Sequence, residues 1–325
     1  MAETLLSPGV LTRENDQTLV TQGPTTAGAA LLGPTVKGPV NIPTLVTSFS
    51  DYKNKFGGAF ESASIAYEYL TSIAAFNYFQ AGGESILVTR IVSGTYLPAT
   101  ASVAALGTGS GDYTTASFTL ETISQGDLMN NSGSVTTSGS LAGGTGDNIR
   151  YEIASLDSGS GQFSLLIRRG DDNGKNKTIL ETFNDLSLDP NSTNYIEKVI
   201  GNQVQNFDTD SDGNRFIQVT GSFANNSQFV RVKSVANPTL NYLDNDGNFK
   251  AALTSSLPKI GSGSVNGVGE RGAFGGGKGP KFGLGTGAQR LRMFEEISVA
   301  SIQGVAAADY TSSIALLQNK DEYDF

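Results

Sequence analysis

Ser85-Ile86-Leu87-Val88-Thr89-Arg90-Ile91-Val92 is a run of β-branched and apolar residues broken by a single charge. A strand with one wet face alternates polar and apolar residues. This one does not, so it reads as central in a sheet that helices cover. Working back from it, Gly82-Gly83 ends a helix predicted from Ala63, Ala66, Tyr67, Leu70, Ile73, Ala74 and Tyr78. Those residues recur at three- and four-residue spacings, and Ser62 is available as the cap.

Further upstream stand the segment Leu45-Val46-Thr47-Ser48, a Pro- and Gly-punctuated loop over residues 33–43, and the apolar run Ala27-Gly28-Ala29-Ala30-Leu31-Leu32-Gly33. A strand, helix, strand order of this length suggests a right-handed crossover. Residues 23–95 are therefore expected to be the first part of an α/β core, and the fold class mixed α+β.

Composition narrows the function. The 325 residues are enough for two or three domains, and 38% hydrophobic residues can bury ordinary cores. A net charge of −9 supplies no positive field for phosphates, which argues against nucleic acid as a partner. The chain has no Cys, which removes disulfides and thiolate metal sites, and no His, which removes the usual general base and zinc ligand. No apolar run is long enough to span or insert in a membrane, and residues 1–8 lack a basic start and a long apolar stretch, so the protein is expected to stay where it is made, in a cytoplasm, unless exported by other means.

Residues 1–22 have a Pro8-Gly9 turn, no helical period and a loose alternation. They read as a frayed terminus or as an arm that adds a strand to a neighbour's sheet. After the core, Ser93-Gly94 and residues 99–111 read as a small-residue linker, and residues 96–290 as inserted β-rich structure. Strands are expected over residues 117–123, 148–153, 215–219 and 228–232. The clearest hairpin joins residues 162–168 to 178–183 through Asp171-Asp172-Asn173-Gly174-Lys175.

A short helix should carry Tyr195, Ile196, Val199 and Ile200, capped by Ser192 or Asn191. The 12 glycines between residues 261 and 287 leave no side-chain density for a core and suggest a mobile loop. Residues 291–325 return to the core: a strand over 297–302, then a helix capped by Asp309 with Tyr310, Ile314, Ala315 and Leu317. The tail Asp321-Glu322-Tyr323-Asp324-Phe325 reads as the approach to another strand, as in a chain whose natural continuation is absent.

The chemical motifs are weak. Asp208-Thr209-Asp210-Ser211-Asp212-Gly213 copies half of a calcium loop, but position twelve is Val219 rather than Glu, and an ordinary turn is the plainer reading. Asp244-Asn245-Asp246-Gly247 reads the same way. Gly272-Ala273-Phe274-Gly275-Gly276-Gly277-Lys278 has phosphate-loop spacing, yet Gly279 replaces the Ser or Thr and Pro280 blocks the helix. Glu295-Glu296 and Asp171-Asp172 are paired carboxylates that read as solvated charges, and Tyr67 and Tyr78 as packing. No catalytic residue, metal site or cofactor is expected.

Several segments jointly resemble the sheath protein of contractile bacteriophage tails. They are Leu6-Ser7-Pro8-Gly9-Val10 with Glu14; Lys37-Gly38-Pro39-Val40-Asn41-Ile42-Pro43 with Leu45-Val46-Thr47-Ser48, Asp51 and Phe56-Gly57; and Phe79, Gly82-Gly83 and the strand through Arg90. Thr145-Gly146-Asp147-Asn148-Ile149 and residues 181–190 are similar to the family's inserted β domain, and Leu316-Leu317 with residues 321–325 to its return helix.

The resemblance implies a structural, non-enzymatic subunit of a virion tail, assembled in the bacterial host cytoplasm. It implies identical subunits in stacked hexameric rings forming a helical lattice, a tail tube inside, a baseplate and a tail terminator as partners, and contraction that drives the tube through the host envelope. An outward-facing β insert goes with it, as does an inter-subunit arm carrying Leu5, Leu6, Ser7, Pro8, Gly9, Val10, Leu11 and Glu14. Sheath chains continue into a larger C-terminal part that this sequence lacks. The alternative class is a surface-exposed β-rich adhesin or receptor-binding virion protein, stabilised by calcium; an NTP-driven enzyme ranks behind both.

Overall fold

The computed structural model describes residues 25–26, 28–62, 65–92, 94–107, 116–131, 136, 138–260, 272–279, 301–302, 305–319 and 323–324. In chain order the first elements are β1 (Thr25–Thr26), β2 (Ala30–Gly33), β3 (Thr44–Val46), α1 (Phe49–Phe56), β4 (Ala59–Ser62), β5 (Ile65–Glu68), α2 (Leu70–Gln80) and β6 (Ile86–Arg90). β6 lies between β2, parallel to it, and β3, antiparallel.

Every residue of β6 is buried, as its composition demands. Ile86 and Val88 pack with Val46, Tyr52, Phe56 and Ala75 under α1 and α2. Leu87, pointing the opposite way, meets Leu317, Ala30 and Leu32. The absence of alternation in β6 is thus the signature of two covered faces.

The helix before β6 starts later than its spacing suggests. Residues 59–68 form an antiparallel hairpin, Ala59 opposite Glu68 and Ser62 opposite Ile65, so Ser62 caps nothing, and the N-cap is Tyr69. The face is also reversed. Thr71, Ser72 and Ala75 point inward, whereas Leu70, Ile73 and Phe76 are 55%, 40% and 42% exposed. Close approach explains this at Thr71: a side chain on Gly33 of β2 would overlap the Thr71 hydroxyl, while the glycine at 28, ahead of β2, makes room for the Tyr78 hydroxyl.

Next come β7 (Pro98–Ala104), β8 (Ala116–Gln125), β9 (Ile149–Asp157), β10 (Gln162–Arg169), β11 (Ile179–Ser187), α3 (Ile196–Ile200), β12 (Val204–Thr209), β13 (Arg215–Thr220), β14 (Val230–Val235) and α4 (Ala251–Thr254). Two antiparallel sheets, ordered β14-β8-β7 and β11-β10-β9, share one core. Phe118 stacks on Phe163 between them, centroids 5.6 Å apart. The expected hairpin is β10–β11, with Leu166 opposite Thr182.

Residues 98–104 are a strand rather than a linker. Ala99, Ala101 and Val103 alternate inward, and a side chain on Gly277, in the segment along the β7 edge, would crowd Ala99. The cap of α3 is Tyr195, while Ser192 Oγ instead accepts from Asn194 N and Asn191 N donates to Asp189.

The Gly-rich segment is fixed where it is described. Phe274 is fully buried in the sandwich core. Gly275 bonds Thr100 in both directions, at 2.8 and 2.9 Å, and Tyr151 N donates to Gly272 O at 3.0 Å. Residues 272–279 therefore run along the edges of β7 and β9. Gly272, at φ +65°, has no room for a side chain because the Tyr151 carbonyl occupies it. The glycines permit close backbone pairing around one aromatic anchor, the opposite of a loop without a core.

The last elements are β15 (Ser301–Ile302), β16 (Val305–Ala306), α5 (Ala307–Leu317) and β17 (Tyr323–Asp324). Residues 297–300 of the expected strand lie outside the described residues. α5 begins two residues before Asp309, which sits in its first turn instead of capping it. Ser313, Leu316 and Leu317 face inward and Ile314 outward. The tail does form a strand: β17 runs parallel to β1, Thr25 opposite Tyr323. The class is mixed α+β.

Candidate interaction surfaces

The residues expected to form the arm, Leu5, Leu6, Ser7, Pro8, Gly9, Val10, Leu11 and Glu14, lie outside the described residues. Residues 25–26 lead into β2, and β2 and β3 are the outer strands of the core sheet, with no further strand hydrogen-bonded beyond either among the described residues.

The α/β core and the β sandwich meet at a seam built on Arg90. Its guanidinium is fully buried at the end of β6, where Nη1 donates to Gly38 O at 2.8 Å and Gln125 O at 2.7 Å, and it lies 5.0 Å from the Tyr96 ring. Burial lowers the Arg90 pKa, with the nearby tyrosines Tyr96, Tyr69 and Tyr52 acting the other way. Gln125 completes the joint: its N–H donates to Gly38 O at 3.1 Å and its side-chain oxygen accepts from Val40 N at 3.2 Å. Leu128 packs against both cores.

A second contact on the seam pairs Lys37 with Asp147. Lys37 Nζ donates to the Asp147 carbonyl at 3.3 Å and stands 3.8 Å from its carboxylate. Burial lowers the pKa of Lys37 and raises that of Asp147, in each case outweighing their mutual attraction. A cleft of 430 Å³ opens beside this pair, bordered by Lys53, Arg169, Thr178 and Phe229. Arg90 and Lys37 belong to no binding or catalytic motif; a lone charge inside an apolar strand is the local signal for Arg90.

The acidic motifs resolve into local structure. Asp210 Oδ1 accepts from Asp212 N and Asn214 N at 2.9 and 2.8 Å, and Oδ2 from Asn214 Nδ2 at 2.9 Å. Asp244 repeats the pattern with Asp246 N and Asn248 N, also at 2.9 and 2.8 Å. Both are Asp-x-Asp-Gly-Asn turns with the glycine at positive φ, and both leading carboxylates are held below the usual aspartate pKa by these bonds. Among the described residues no three His, Cys, Asp or Glu gather as a metal set.

Asp172 is not a solvated charge. It is 4% exposed and takes Arg168 Nε and Nη2 at 2.7 and 2.8 Å, with Arg150 at 3.4 Å and Glu152 accepting from Arg168 on the other side. Asp171 alone stays at the surface, against Arg169. Tyr78 packs as expected and donates to Ser85 O at 3.0 Å. Lys278 bridges to Leu97 through its backbone, so the phosphate-loop spacing falls on a sheet edge. Glu295 and Glu296 lie outside the described residues, and no helix of those described is long and apolar enough to cross a membrane.

These features define a mixed α+β chain with an open-edged core sheet and a β sandwich inserted between β6 and the returning helix. No protein-family model and no curated protein matches the sequence. Among solved structures, the sheath tail protein of Listeria innocua compares at 11% identity and a TM-score of 0.35, covering 90% of this chain and 38% of that one. The sheath tail protein of Desulfitobacterium hafniense compares at 11% identity and a TM-score of 0.22, covering 76% and 41%. The chain spans about two fifths of the length of these two proteins.

Proposed function

We propose that the chain is a structural, non-catalytic subunit of a contractile bacteriophage tail sheath. The observation that carries this reading is the core sheet, whose two outer strands have no strand neighbour beyond them among the described residues. Unpaired strand edges take up extended segments from other chains. The arm carrying Leu5, Leu6, Val10 and Leu11 adds a strand to a neighbouring copy, at roughly 1 kcal/mol net per ladder bond. Repeated over many subunits, such bonds link hexameric rings into a helical lattice while allowing each subunit to rotate.

In this reading the partners are identical subunits, the tail tube, the baseplate and the tail terminator. The β sandwich faces outward, and the virion tail is assembled in the host cytoplasm. Contraction is the relaxation of a metastable lattice to a lower-energy one. The test is deletion of residues 1–20 from the full-length protein, read by electron microscopy of assembled tails. Folded subunits that form no sheath are expected; sheaths of normal length that still contract would remove the arm's role.

A further inference from the structure

β12 and β13 form a two-stranded ribbon that belongs to neither sheet of the sandwich. No residue of either strand is buried, and none belongs to a hydrophobic core. Isolated two-stranded ribbons are marginal in water; this one leans on α5, where Gly213, Asn214 and Arg215 border a cleft with Ala315, Gln318 and Asn319, and it adds nothing to a hydrophobic core. Its end carries Asp208, Asp210 and Asp212, all exposed, and the bonds within the Asp210 turn hold that end in one shape. Asp212 has no cation within ion-pair distance among the described residues.

The complementary surface is the 430 Å³ cleft on the seam. Lys37, Lys53 and Arg169 border it against one carboxylate, Asp147, in a chain whose net charge is −9. Lys53 has no carboxylate within ion-pair distance among the described residues, and Arg169 is answered only by exposed Asp171. Lys37 has its carboxylate no closer than 3.8 Å. Three cations converge on a concave site with too few anions of its own.

We propose that the β12–β13 ribbon of one copy seats its Asp208–Asp212 end in the Lys37, Lys53 and Arg169 cleft of a second copy. Ribbon end and cleft are different surfaces, so each copy offers one of each, and the contact repeats head to tail into a ring or an open array. The sheath reading supplies the biological setting, and the contact itself rests on shape and charge. Opposed charges of this kind steer association and fix register, and they weaken with salt.

The test is sedimentation velocity of the full chain from roughly 20 mM to about 500 mM salt, where screening becomes short-ranged. Two variants are compared, Asp208→Lys with Asp212→Lys and Lys53→Glu with Arg169→Glu, together with an equimolar mixture of the two. The expected result is self-association at low salt that each charge reversal weakens by about tenfold or more and that the mixture restores. Circular dichroism verifies that both variants are folded.

A chain that stays monomeric throughout, or association that neither reversal changes, overturns the proposal. So does a mixture that fails to recover. If assembly is lost on deleting residues 1–20 but indifferent to charge reversal, this contact fails and the sheath reading stands. If the charge pattern holds but no tail-like polymer forms, the contact stands and the sheath reading fails.

Discussion

Arg90 Nη1 bonds the Gln125 carbonyl at 2.7 Å, tying the central strand of the core sheet to the end of a sandwich strand 35 residues further along. The two bodies are joined by a buried cation held on carbonyl dipoles and an aromatic face, with no carboxylate in ion-pair contact among the described residues. Replacing Arg90 with Met leaves the Gln125 carbonyl without that donor, and should lower stability by about 2–4 kcal/mol. Arg90→Lys should do no better, because an ammonium lacks the planar guanidinium set against the Tyr96 ring and desolvates at greater cost. Urea denaturation followed by circular dichroism measures both; a Lys variant as stable as the wild type would contradict the role given to the guanidinium.

The Lys37–Asp147 pair should behave as a buried pair whose desolvation outweighs its attraction. Asp147→Leu leaves Lys37 without its carboxylate and is expected to cost about 2–3 kcal/mol, discounted for partial exposure. The combined Lys37→Met and Asp147→Leu variant is expected within about 1 kcal/mol of the wild type, or above it. The sign with pH follows from the raised Asp147 pKa. Its contribution is present below the unfolded value of 3.8 and lost as pH rises through the higher folded value. Stability relative to Asp147→Asn should therefore fall as pH rises from about 3 to about 6, and a flat difference would refute the assignment.

The Asp-x-Asp-Gly-Asn turns have the opposite sign. Bonds from Asn214 and Asn248 depress the Asp210 and Asp244 pKa values, so the stability they add is present above 3.8 and lost as pH falls through the folded value. Carbon-detected NMR titration should place both midpoints below 3.8, and Asn214→Ala should move the Asp210 midpoint up. An unchanged midpoint would mean that Asn214 does not hold the carboxylate.

Phe274 should matter far more than its glycine-rich setting implies. Asn131 clamps it, accepting from Phe274 N at 2.7 Å while donating to Ile149 O at 2.6 Å. Phe274→Ala opens a cavity between the sheets, with an expected loss of about 3–5 kcal/mol. Limited proteolysis should then cut at residues 272–279, where the wild type resists; equal cleavage of the two proteins would argue against the anchor.

Much of the framework was legible from periodicity. β6, the β10–β11 hairpin and α3 all follow from composition and turn residues, because burial on two faces, alternation and helical spacing each leave a direct mark. The failures share a physical cause. Ala66 and Leu70 have helical spacing, but Ala66 pairs with Glu61 in the β4–β5 hairpin and Leu70 faces outward, and the close approach of Gly33 favours Thr71 on the inner face of α2. Residues 99–104 look like linker because Ala and Ser lack a strong strand preference, yet Ala99, Ala101 and Val103 alternate into the core shared by the two sheets. Phe274, Arg90 and the Lys37–Asp147 contact depend on partners far away in sequence, which no local window contains.

The pairing of Thr25 with Tyr323 spans 298 positions, from 323 minus 25. During synthesis, β2, β3 and β6 are made early, whereas the helix that covers Leu87 emerges only after the whole sandwich has left the ribosome. The nascent core must wait with one face wet, and contacts this distant are slow to close. The sandwich, with its own complete hydrophobic interior, is the part able to fold first and hold the two ends of the core within reach.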